Sequence, residues 1–457
     1  MVQTYGAVRP PAYAESEPGP SSGSEQSALL GGERDTSVQR DGHASLTSCV
    51  SNLANTIMGT GMLTFPLAMA SAGMIPGVLT CVSSGVVGAF GLYLLSVCAT
   101  YTPHRRASFF SVAQLTFPRA AVFFDAAIAI KCFGVSIRHG VFFSCVRRVD
   151  LMQHSYLIIV KGLMPNVVKS FYHVLAPPTT VPPAWMLNGA NWISIFMVVI
   201  GPLAFLRRLD SLRHTSYVAL FSVAYLVVIV VACYFWPIAG MPARGDVHLI
   251  KFTPSFVSTF PIQVFAYTCA QNLFPMYNEV RSNTQARMNI IIGGSIGSAI
   301  ITYEVIAVFG YLTFGSNVGA NIIAMYPQTS LFIAFGQVAI VISVLSSYAL
   351  QVHPCRNCLG KVLQRRPATE EEEDDDKDHA VSDMSALRHA LLTSVIIGGG
   401  FSIAYFVDDL RMGKCVLLCG RRAADAETVL AFVGSTGSTT ISFILPGLFY
   451  WKVRPGE

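Results

Sequence analysis

The stretch Asn52-Leu-Ala-Asn55-Thr56-Ile-Met-Gly59-Thr60-Gly61-Met62-Leu-Thr-Phe-Pro66 sets Asn, Thr, Gly and Pro inside an otherwise apolar run. Gly costs about 1 kcal/mol and Pro about 3 kcal/mol in a helix interior. A helix broken in mid-membrane uses such residues: freed N–H groups can hold a carboxylate, and freed carbonyls can hold a cation or an ammonium. Close helix packing through Gly59 and Gly61 is the competing reading, but it leaves the two Asn unexplained. A second interruption reads Phe265-Ala-Tyr267-Thr268-Cys269-Ala270-Gln271-Asn272-Leu-Phe-Pro275-Met-Tyr-Asn278-Glu279. Two interrupted segments in corresponding positions point to a binding site between inverted repeats. Glu304 stands alone between apolar turns. A carboxylate there is a functional hypothesis by default, and an apolar environment favours its protonated form, which suits proton binding. The alternative is a protonated Glu that locks two helices together. Ser346 and Ser347 offer oxygens to a cation, unless each bonds back to its own helix. Asp125 and Lys131 are spaced poorly for an ion pair on one helix, so each needs a partner elsewhere.

Other motifs carry less. Gly398-Gly-Gly400 and Gly434-Ser-Thr-Gly437-Ser-Thr-Thr440 lack the Lys of a phosphate loop and read as small packing faces or path linings. Cys355-Arg-Asn-Cys358 is a CxxC without a second pair, so no metal site is expected. The spans contain no convergent His/Asp/Ser or metal-ligand set, so an enzyme is not expected.

The elements that position these residues are membrane helices. Of the 457 residues, 52% are hydrophobic and 12% charged, and the mean hydropathy is +0.51. A soluble domain carries roughly 25% charged residues. The acids cluster in the first 45 residues and in Glu370–Asp378, which leaves Glu304 conspicuous. Apolar stretches long enough to cross a bilayer recur at about 48–73, 76–100, 119–137 (resuming at 155–165), 189–206, 215–239, 254–278, 288–313, 328–352, 386–407 and 429–451. Basic residues fall in alternate loops, at His104-Arg105-Arg106, Arg207–Arg213, Arg281–Arg287 and Arg356–Arg366. These loops are therefore expected in the cytosol, with the N-terminus on the same side. The formal charge of +5 is spread between apolar segments and is no nucleic-acid footprint. Residues 1–45 read as a disordered cytosolic tail. Within it, Glu25, Leu29 and Leu30 fit an acidic dileucine sorting motif for an adaptor. Residues 46–451 form the transmembrane domain, with an acidic cytosolic linker at 353–385 and a short tail at 452–457.

Together these motifs resemble the amino acid/auxin permease family, its fungal vacuolar branch and the animal neutral amino-acid transporters. The likeness rests on Asn52 to Gly61, Ala129-Ile-Lys131-Cys-Phe-Gly134, Tyr156-Leu-Ile-Ile, Gln271 to Glu279, Tyr303-Glu304 to Gly315, and Gly434 to Gly447. It implies an all-α integral membrane protein with a broken-helix, inverted-repeat (LeuT-like) bundle. About ten spans are present and an eleventh is missing. It further implies an amino-acid substrate held at Thr56, Gly59, Thr60 and Gly61, with Thr268, Gln271 and Asn272 from the second break. Asn55, Glu304, Ser346 and Ser347 are the ion-coupling candidates, for a proton or Na+. No other cofactor is implied. Ala270 stands where relatives often have His, which moves the proton role to Glu304.

Two segments, Arg138–His154 and Gly413–Thr428, look inserted. The first brings Arg138, His139, Arg147, Arg148 and Asp150 into the third span. Four formal charges there cost roughly 10 kcal/mol or more on insertion scales. Gly413-Lys414-Cys415 can be encoded with a splice-donor string, so retained introns, and with them a product not competent for transport, are one reading. Lineage-specific insertions are the other. The expected function is secondary active amino-acid transport, proton-coupled as antiport or symport, at a vacuolar membrane. A sensor that binds amino acids without net transport is the alternative.

Overall fold

Ser45 starts the first helix, its hydroxyl accepting from the Ser48 N–H at 3.2 Å. In the computed structural model, the described residues are 42–102, 105–133, 152–175, 177, 181–327, 329–363, 385–406 and 439–453. Helix α1 (Leu46–Ile57) ends abruptly. A 3-10 turn, Thr60–Thr64, follows, and α2 (Phe65–Ala72) resumes with Pro66 in its first turn. Pro there lacks only an N–H that the helix start leaves unpaired anyway. The two halves meet at 48°. Gly73, at φ +88, turns the chain into α3 (Met74–Ala99). A short α4 (Phe109–Thr116) and α5 (Ala121–Phe133) lead to α6 (Met152–Leu175). The one-turn α7 (Ala184–Leu187) precedes α8 (Gly189–Ala204) and α9 (Arg213–Phe235).

The second break repeats the first. Helix α10 (Phe256–Ala266) stops, a 3-10 turn covers Ala270–Asn272, and α11 (Leu273–Glu279) continues. Then come α12 (Gln285–Phe314), α13 (Leu331–Leu363) and α14 (Ala386–Phe406). A π turn, Thr440–Ile444, runs into α15 (Leu445–Val453). Among the described residues all regular elements are helical. Met74–Ala99, Asp210–Phe235, Gln285–Asn317 and Leu331–Leu363 are each long and apolar enough to cross a membrane, as is the bent pair around the first break.

Helix α13 is the hub, packed by α5, α6, α8, α9 and α14, while α12 packs on α1, α2, α3 and α9. The first broken helix lies against these two long ones, and the halves of the second pack on α3. Two spans differ from expectation. The third is expected to resume after the first insert only as far as about 165; α6 instead runs on to Leu175. The eighth was ended near residue 352 with Arg356 in a loop. Instead α13 continues to Leu363 and takes in the start of the expected linker. Arg356 is fully buried there: Nη1 donates to Ala204 O (3.0 Å) and Thr393 Oγ1 (3.2 Å), and Nη2 to Leu206 O (3.1 Å). A charge without water needs such partners, and the C-terminal carbonyls of α8 supply them.

Candidate functional site

Each break frees backbone groups, and both sets converge on one side chain. Ile57 ends α1 and Ala266 ends α10. The Tyr303 hydroxyl of α12 lies 2.6 Å from Ile57 O and 3.1 Å from Ala266 O. Carbonyls at helix C-termini carry partial negative charge. Two such ends facing one hydroxyl make an electronegative point at the centre of the bundle, suited to an ammonium or a cation. The ring of Tyr303 is held by Phe65, stacked at 4.6 Å, and by Tyr267 at 5.1 Å. Gly61 lets the breaks meet: a Cβ there would lie 2.9 Å from Ala266 Cβ. Gly61 is thus a packing contact between the breaks, the reading that sequence set second.

A polar chain crosses from break to break. Asn272 Nδ2 donates to Thr56 Oγ1 at 3.0 Å, and that hydroxyl donates to Asn52 O at 2.8 Å. Asn52 Nδ2 donates to Leu209 O at 2.9 Å. Asn55 Nδ2 donates to Ser216 Oγ at 3.1 Å. Ser347 Oγ lies 3.0 Å from Asn55 Oδ1, 3.2 Å from Asn55 O and 3.0 Å from Ser343 O. Gln271 Nε2 donates to Gln351 Oε1 at 3.2 Å. All of these side chains are buried.

The structure therefore brings Asn55, Thr56, Gly61, Gln271, Asn272 and Ser347 together. Gly59 and Thr60 lie in the backbone of the first break. Thr268 and Ser346 bond back to Val264 O and Ile342 O of their own helices. Glu304 follows Tyr303 on α12; among the described residues its buried carboxylate oxygens have no N–H or O–H donor within hydrogen-bond distance, and the Cys81 thiol of α3 is the weak donor beside them. Asp125 turns to Cys358 and Lys361 of α13, so its partner is indeed elsewhere. The segment 134–151, the core of the first insert, lies outside the described residues. So do the second insert, Gly434–Gly437, the acidic run and the sorting motif Glu25, Leu29, Leu30.

Sequence reasoning gave no role to Tyr303, Ser216 or Gln351. Ser343, Ser347 and Gln351 are spaced by four on α13, a helical stripe that could have been read as one face.

Similarity to known proteins fits this geometry. The family described as transmembrane amino acid transporter protein matches residues 42–146 and 150–457. Vacuolar amino acid transporter 5 of Schizosaccharomyces pombe is 40% identical over 429 residues, covering 93% of this chain and 88% of the relative. Vacuolar amino acid transporter 6 of Saccharomyces cerevisiae is 35% identical over 431 residues, covering 90% of each. Among solved structures, a substrate-bound, outward-open Na+-coupled sialic acid symporter superposes with a TM-score of 0.52 at 11% identity. That match covers 90% of this chain and 79% of the symporter. It shows the LeuT-like broken-helix fold.

Proposed function

Because this chain belongs to the transmembrane amino acid transporter family, we propose that it carries amino acids across a vacuolar membrane by proton-coupled secondary transport. The basic loops face the cytosol. One observation carries the reading: α12 presents Tyr303 to the carbonyl ends of both broken helices, and its next residue, Glu304, holds a buried carboxylate with only the Cys81 thiol as donor beside it. The substrate ammonium meets Ile57 O and Ala266 O. Its carboxylate meets the backbone N–H groups at the N-terminal ends of the two 3-10 turns, where the helix dipole favours negative charge. Thr56 and Asn272 tie the two halves around it.

The choice of a proton over Na+ rests on satisfaction. Asn55 and Ser347 already pair their oxygens and amide with protein groups. Glu304 has no such partner beyond the Cys81 thiol, a weak donor, so its oxygens are left available to a proton. Alternating access then couples the Glu304 proton to the movement of α1 and α11 around the site. Vesicles containing the purified protein, loaded under an imposed pH gradient and offered a panel of labelled amino acids, test this reading. Accumulation that follows the gradient supports it. Binding without flux would leave a sensor. Gly61→Val pushes a branched side chain into Ala266, and uptake is expected to fall to background. Unchanged uptake would displace the site from the breaks.

A further inference from the structure

The half helices α1 and α11 meet at the end of the bundle that carries the basic loops. Glu279 is the last residue of α11. Its Oε1 accepts from the Leu209 N–H and its Oε2 from the Asp210 N–H, both at 2.9 Å. The two donors are the orphan N–H groups at the turn that starts α9. Helix α1 grips the same turn. Asn52 Nδ2 donates to Leu209 O at 2.9 Å, and Ser48 Oγ donates to Asp210 Oδ1 at 2.7 Å. A strap crosses the outside: the Ala44 N–H donates to Glu279 O at 2.9 Å, the Arg281 N–H to Ala44 O at 3.0 Å, and Arg105 Nη1 to Val280 O at 2.7 Å. Beneath lies Cys49 of α1, 2% exposed, with Glu279 and Asp210 as its charged neighbours.

We infer that Glu279 is the latch of this end of the pathway, a positioning residue that keeps α1 and α11 closed until its carboxylate releases the 209–210 turn. The inference rests on the transport reading for its place in a cycle, but its geometry is independent of any substrate. The half helix on the far side of each break, α1 or α11, grips one short turn and touches the other half helix through it. A solute leaving at this end must part them, and parting them uncovers Cys49. The carboxylate suits the task because both of its bonds go to backbone donors, which cannot turn away while the turn stays in place. Charge-assisted pairs of this kind are among the strong hydrogen bonds.

The test is alkylation of Cys49 by a membrane-impermeant maleimide on the full chain in lipid nanodiscs, read peptide by peptide by mass spectrometry. Glu279→Gln retains one acceptor oxygen and sets an NH2 against the other N–H. Cys49 labelling is expected to rise about tenfold or more. Cys81 and Cys233, buried among other helices, are expected to label at the original rate. Ser48→Ala removes a different bond to the same turn and should raise Cys49 labelling about threefold; it carries the test if Glu279→Gln does not reach the membrane. Unchanged Cys49 labelling in the folded variant overturns the latch, as does an equal rise at Cys81 and Cys233, which marks general loosening. Labelling needs no amino acid. A Cys49 rise in a protein that moves no amino acid therefore keeps the latch and refutes the transport reading, and normal flux with unchanged labelling does the reverse.

Discussion

Two glutamates, one at the end of α11 and one in the middle of α12, are treated in opposite ways. Glu279 has both oxygens filled by backbone N–H groups. Glu304 has no N–H or O–H donor and only the Cys81 thiol beside it. The contrast separates two uses of one side chain. A carboxylate with its hydrogen bonds made is committed to the arrangement that makes them, and losing it leaves donors stranded. A buried carboxylate with no more than a weak thiol donor gives the fold little, and keeps its change of charge available for work. The presence of an acid in a membrane span does not tell these roles apart; its bonding does.

The largest expected effect strikes the unsatisfied member. Glu304→Gln should cut uptake driven by a pH gradient about tenfold or more, while exchange at equal pH persists. Gradient-driven uptake at the original rate would erase the distinction. A smaller effect, on stability, strikes the satisfied member. Glu279→Ala strands two buried N–H groups, so the folded state should lose about 2–4 kcal/mol, whereas Glu304→Gln should lose less than about 1 kcal/mol. Thermal melts in detergent would show the order, and the reverse order would break it. The smallest effect tests whether bonding state predicts function for neutral groups too. Ser346 donates to Ile342 O of its own helix, so Ser346→Ala should leave uptake within about twofold. A loss as deep as that of Glu304→Gln would mean the hydroxyl leaves that bond during the cycle.

What could be read from the residues was what a residue announces by being out of place. Gly59, Gly61 and Pro66 are poor helix formers inside an apolar run, and the first break falls among them; the second falls at the polar cluster Thr268 to Asn272. Glu304 announces itself by charge. What could not be read was pairing over long separations. Nothing near Glu279 in the chain names the backbone of Leu209 and Asp210, because backbone donors have no residue type. Tyr303 was passed over since a Tyr in a membrane helix is unremarkable until two carbonyl ends are known to meet at its hydroxyl. Arg356 misled in the other direction. A basic residue after an apolar run reads as the end of a span, and the rule failed because α8 ends beside it with carbonyls to offer.

That buried guanidinium also sets a timetable for biogenesis. Ribosomal synthesis delivers α8 first, α13 later and α14 after that. When α13 leaves the translocon, the acceptors at Ala204 and Leu206 are already in the membrane, and Thr393 follows behind them. An Arg stranded in lipid is costly, so the C-terminal end of α8 must still be close at hand when Arg356 arrives. Helix α14 then closes the remaining bond. Stable membrane integration of the chain's second half thus depends on the first half having waited for it.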